Sequence, residues 1–154
     1  QLVNEPVSYV NAPGLAKERG IDTSLHTDVE SIDHKVYVRV EVTTTSGEVS
    51  SAAGTVIGPK SVNKLIGIGL YDFDVLISDH MAFIKYADQP GMIGIVGGIL
   101  GKSGINIAGL QLSRDAKGGN ALVVLTIDTQ IPHNVLQEIT KEINASFART
   151  VDLQ

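Results

Sequence analysis

Asp88 closes a strand-like run and stands directly before Gln89-Pro90-Gly91-Met92, where a helical pattern begins. A carboxylate at that point can accept hydrogen bonds from an ammonium group, while the open N–H groups of a first helical turn favour a carboxylate. Those are the two ends of an amino acid. Asn106, at the head of the adjoining strand-like run, adds a donor and an acceptor together. Local duties suit the same residues equally: Asp88 can cap the helix, and Asn106 can serve the Gly104-Ile105-Asn106 turn. On position alone both readings stay open.

Other candidates carry less. GIVGGILGKSG, residues 94–104, resembles a phosphate-binding loop, but that loop needs glycine five residues before the glycine of GKS, and Val96 stands there. The order is also wrong, because Met92, Val96, Ile99 and Ser103 already repeat at helical spacing before Lys102 is reached. GKS therefore closes a helix, with Lys102 in its last turn and Gly104 at a left-handed cap. His26, His34, His80 and His133 are scattered and form no ligand motif. Asp72 and Asp74 share one side of a strand and could hold a hard cation, although a solvated turn uses the same pattern. Asn144-Ala145-Ser146 fits a glycosylation acceptor that a chain without a secretory leader would not use. No nucleophile pairs with a base, so the expectation is no catalytic residue, no metal and no cofactor within these residues.

Composition narrows the class. The 154 residues are 43% hydrophobic with a formal charge of −5, no cysteine and no basic run that could neutralise a phosphate backbone. Nucleic acid is excluded as an expected partner. No apolar run approaches the ~20 residues that span a bilayer, and no basic-then-apolar leader opens the chain, so no membrane association is expected and the protein reads as cytoplasmic. Gln1 opens the chain without a methionine, which suggests a piece of something longer.

The elements that must position Asp88 are regular. Residues 81–87 read as a strand, a helix follows to about Ser103, and residues 105–112 and 121–128 read as strands joined through the glycines of 115–120. A second helix is expected from about Pro132 to Asn144 and a last strand over 147–153. The order βαββαβ is the ferredoxin-like arrangement, two helices on one face of a four-stranded antiparallel sheet. Gly94, Gly97, Gly98 and Gly101 weaken the first helix, which implies either close packing against the sheet, the second helix or another subunit, or a weak helix merely tolerated. Upstream, APGLAKERG (12–20) reads as a short helix, and the alternation of Val36, Val38, Val40 and Val42 opens a series of strands at 49–57, 62–68 and 73–77, the last two separated by residues 69–72. The fold class is α+β: a mainly antiparallel sheet domain with one helix over 1–79, then the ferredoxin-like domain over 80–154.

IKYADQPGMIGIVGGILGKSGINIAGLQLSRDAKGGNALVVLTID resembles an ACT domain, a small regulatory module that binds amino acids. With VNAPGLAKERGI, AGTVIGPKSVNKLIGIGLYDFDV and the ending VDL, nearly the whole chain resembles the C-terminal regulatory region of the long-form D-3-phosphoglycerate dehydrogenase family, in which an intervening domain precedes the ACT domain. The resemblance implies that substrate-binding and NAD-binding domains precede this region and oxidise 3-phosphoglycerate at the start of serine synthesis. It implies that L-serine binds between ACT domains of a homodimer or higher homo-oligomer and inhibits. Tyr86 and Asp88, with Gln89, Pro90, Gly91 and Met92, would line that site from one subunit, and Asn106 and Ile107 would reach it from another. It also implies an anionic effector on the intervening domain, for which Lys64 matches one basic position while Leu76 and Thr126 stand where relatives can offer arginine. A purely structural oligomerisation module, or the non-catalytic β-type region of an iron–sulfur L-serine dehydratase, are the alternatives.

Overall fold

A computed structural model describes residues 6–8, 10–27 and 37–153; the expectations on His34 and Val36 fall outside these. The chain forms two compact units, Gln1–Ile32 and Asp33–Gln154. In the first, the short helix α1 (Ala12–Glu18) follows Asn11, whose Oδ1 accepts from the Ser8 N–H at 2.6 Å, and buries none of its residues.

The second unit holds two four-stranded antiparallel sheets. Strands β1 (Tyr37–Thr43), β2 (Val49–Ile57), β3 (Val62–Ile68) and β4 (Tyr71–Leu76) form a meander in chain order. The expected separator at 69–72 is in fact shorter. Ile68 pairs with Tyr71 across a two-residue turn, so β4 starts two residues before the predicted Phe73.

The other sheet is built from β5 (His80–Ala87), β6 (Ile107–Arg114), β7 (Asn120–Ile127) and β8 (Phe147–Asp152), with helices α2 (Met92–Lys102) and α3 (His133–Glu142) between them. Its strand order is β6-β7-β5-β8, the ferredoxin-like fold expected from the periodicity. The strand predicted over 105–112 lies two residues later than expected, because Ile105 turns into the core before the ladder with β7 begins. Nor does that strand adjoin β5, since β7 separates them.

One face of this sheet packs Ile84, Tyr86, Val123 and Leu125 against Val96 and Leu100 of α2 and Ile139 of α3. Fully burying each such aliphatic side chain contributes roughly 1.5–3 kcal/mol. The opposite face carries Met81, Leu122 and Val124, which meet Tyr71, Phe73 and Val75 of β4. Both faces of β7 are consequently covered, which is why ALVVLTI reads as a continuous apolar run and not as an alternation.

Gly104 has φ +70°, the left-handed cap predicted after Lys102, and the Ile105 N–H returns to the Leu100 carbonyl at 2.9 Å. The glycines inside α2 have a different explanation from close packing within the chain. A Cβ at Gly94, Gly97, Gly98 or Gly101 would meet nothing within 4 Å, so neither the sheet nor α3 demands them.

Candidate functional site

The site lies where β5, β6 and the β6–β7 hairpin end together. Tyr86 pairs with Ala121 in β7, and Ala121 pairs with Arg114 in β6, so the tyrosine and arginine stand in one row with a small residue between them. Strand parity decides the face: Leu110, Leu112 and Arg114 follow one another on the side that packs toward the helices, and Tyr86 belongs to that same core. Lys85 points the other way, with Nζ 5.6 Å from the centre of the Tyr71 ring.

Asp88 follows β5 by one residue. Its N–H donates to the Gly119 carbonyl at 2.9 Å, which ties it to the hairpin, and its Oδ2 accepts from Arg114 Nε at 2.9 Å. The Asp88 carboxylate is 16% exposed and the Arg114 side chain 53%. The hairpin is itself braced by Asp115, which accepts from the Asn120 N–H at 2.7 Å and the Asn120 Nδ2 at 3.0 Å. Those bonds, side chain first, hold the Asp115 carboxyl below its ordinary pKa.

Tyr86 is 1% exposed, and its buried hydroxyl has no hydrogen-bond partner among the described residues. Burial pushes its pKa above the ordinary value, the Asp88 carboxylate adds to the rise, and the Arg114 guanidinium opposes it. A buried hydroxyl without a partner costs roughly 1–3 kcal/mol. A buried polar group of this kind calls for a structural or functional explanation.

Asp88 does not cap the helix. The N-cap of α2 is Gly91, whose φ of +91° only glycine adopts without strain, and among the described residues no side chain bonds the first-turn N–H groups. Gln89, Pro90 and Gly91 lie exposed beside this helix start, and Met92 packs partly against the core. Asn106 does not serve its own turn through its side chain either. Its Nδ2 donates to Asp128 Oδ2 at 2.8 Å. Asn106 and Ile107 begin the strand whose other end is Arg114, so one chain holds them about 25 Å from Asp88.

Lys64 sits on β3 with its Nζ 2.5 Å from Asp74 Oδ1, so its charge is already met. A cavity of about 410 Å³ opens on the outer face of the first sheet, lined in part by Arg39, Ser51, Asp72 and Asp74, and Lys64 does not line it. Arg39 there bonds Ser51 Oγ at 3.1 Å and pairs with Glu41 at 3.5 Å. Asp72 and Asp74 are joined by no third ligand: no group of three histidines or acids that could hold a metal occurs among the described residues. No helix among them is long and apolar enough to cross a membrane.

The residue that sequence reasoning missed is Arg114. An arginine in phase with Leu110 and Leu112 on a core-facing parity was the available signal.

Residues 1–69 match the D-3-phosphoglycerate dehydrogenase intervening domain family, and residues 80–144 match the ACT domain family. The D-3-phosphoglycerate dehydrogenase of Mycobacterium leprae (strain TN) is 36% identical over 152 residues, covering 99% of this chain and 29% of that protein. The enzyme of the same name from Synechocystis sp. is 34% identical, covering 99% of this chain and 27% of its own length. That from Bacillus subtilis (strain 168) is 31% identical, covering 98% and 28% respectively. The chain thus spans under a third of the length of these relatives. Over nearly all of that span it carries the intervening-domain and ACT-domain sequence of the D-3-phosphoglycerate dehydrogenase family.

Proposed function

We propose that this region is an amino-acid sensor: L-serine binds at the Tyr86–Asp88 site and inhibits an NAD-dependent phosphoglycerate dehydrogenase activity carried elsewhere in the protein. The observation that carries the reading is the buried, unpartnered Tyr86 hydroxyl in a residue whose strand row ends at the paired Asp88 carboxylate and Arg114 guanidinium. Asp88 takes the ammonium, and the open N–H groups of α2 lie at the same end of the sheet for a carboxylate. In this reading residues 1–79, which include β1–β4, are an intervening domain, and residues 80–154, which include β5–β8, are the sensor.

Asn106 enters the site from a second copy. β6 ends the strand order, and two β6 strands paired antiparallel about a two-fold axis would bring the Asp88 end of one copy beside the Asn106 end of the other. Pairing also covers a free strand edge. Serine held between two copies favours the subunit arrangement in which the site is complete, and inhibition is the consequence of that preference.

A titration of L-serine against the thermal unfolding midpoint tests this, with D-serine, glycine and L-alanine as comparators. A ligand at 100 times its dissociation constant adds about 2.7 kcal/mol to the folded state. A rise specific to L-serine is the expected result. A protein that stays paired yet shifts with none of the four is instead a structural assembly module, a reading that the exposed Ile95 on the glycine-rich helix α2 would then favour.

A further inference from the structure

We propose that Arg114 is the specificity-determining residue of this site, the ligand entering between Asp88 and Arg114 so that its ammonium replaces the guanidinium on Asp88 while its carboxylate takes the guanidinium. The inference rests on the amino-acid reading above and adds to it a charged partner for the carboxylate beside the N–H groups of α2.

The ligand-free chain already holds an anion and a cation in contact, with Arg114 Nε 2.9 Å from Asp88 Oδ2. A zwitterion is the complement of such a pair. Inserting one exchanges a single ion pair for two and leaves no charge unmatched, whereas a plain amine would have to evict Arg114 and leave it unpaired. Asp88 is Arg114's sole hydrogen-bonding or ionic partner among the described residues, so its two terminal nitrogens are free to make the two-pronged contact that guanidinium offers a carboxylate.

Mobility and space agree with this. The Arg114 side chain is 53% exposed and ends an outer strand, so it can swing without disturbing the core, while Asp88 is fixed by the Gly119 carbonyl and largely buried. Ala121 stands between Arg114 and Tyr86 in the row, and its single methyl puts little bulk between them. The neighbouring cation, Lys85, lies on the opposite face over Tyr71 and cannot substitute. The half-exposed pair is also weak enough to open, since exposed ion pairs contribute little in water.

The test compares L-serine with ethanolamine, which is serine without its carboxylate, by calorimetry on wild type, Arg114→Gln, Arg114→Lys and Asp88→Ala. The expected pattern is tight L-serine and weak ethanolamine binding in wild type. In Arg114→Gln, L-serine weakens about tenfold or more, the size of one lost charge-assisted contact. Ethanolamine binding strengthens there, because its competitor for Asp88 has gone. Arg114→Lys restores part of the L-serine affinity. A merely structural role for Arg114 would move both ligands in the same direction. L-serine binding that Asp88→Ala abolishes but Arg114→Gln leaves within twofold of wild type overturns the assignment of Arg114 alone. Wild type that takes up no L-serine overturns the amino-acid reading and this inference with it.

Discussion

Valines in β7 and β1 meet opposite ends of the exposure scale. Val123 and Val124 are fully buried, while Val38, Val40 and Val42 are 61%, 59% and 56% exposed. β7 is an inner strand of a sheet covered by α2 and α3 on one face and by β4 on the other. β1 is the outer strand of the meander, beyond the reach of the residues that cover β3 and β4. Intrinsic strand preference is the same in both places. Burial, and hence the energy each strand contributes, is set by what lies above and below it.

Truncation to alanine in each strand should bring the contrast out most strongly. Leu125→Ala, in a fully buried site of β7, should lose about 2–5 kcal/mol in urea unfolding. Val40→Ala should stay within about 0.5 kcal/mol. Equal losses would mean that β1 is covered in solution by something that buries its valines.

A second prediction concerns the way β6 joins the well-packed sheet. The register between β6 and β7 shifts between Ile107 and Gly109, and a Cβ on Gly109 would fall 2.6 Å from Thr126 Oγ1. Gly109→Ala should therefore destabilise by about 1–3 kcal/mol, as overpacking does. Thr126→Ala in the same chain should recover most of the loss, measured by the same unfolding curve.

Much of this was legible in advance. The helices and strands of 80–154 follow from hydrophobic period, because nearly every apolar residue there faces a core that the period describes. The meander was legible as strands but not as faces: alternation in β1 announces a strand without saying that its apolar side goes uncovered. At the candidate site, Tyr86 and Asp88 were named from the sequence, whereas Arg114 was not. Its phase with Leu110 and Leu112 says only which face it takes, and its meaning depends on a partner 26 residues earlier that only the register β5-β7-β6 brings beside it. Asn106 stands at the far end of a strand that is two positions from β5 in the sheet, so its separation from Asp88 within one copy could be read only from the strand order.

The smallest effect is expected where the packed sheet meets the site. Tyr86→Phe keeps the ring in the core and removes an unsatisfied hydroxyl, so the ligand-free protein should gain about 1 kcal/mol while L-serine binds more weakly. The same variant separates a pH effect. Tyr86 has a folded-state pKa raised above 10.0, so its contribution is complete below that unfolded value and is lost as pH rises from about 10 through the folded pKa. Wild type should lose stability in that alkaline window more steeply than Tyr86→Phe, and parallel curves would place the alkaline sensitivity elsewhere.

The central claim is that Asp88 holds the ammonium of an amino acid. Calorimetric titration of L-serine into wild type and Asp88→Ala tests it most directly. Saturable binding in wild type that falls by about tenfold or more in the variant, the loss expected for one charge-assisted contact, is the predicted result. Equal affinity in the two proteins would contradict it.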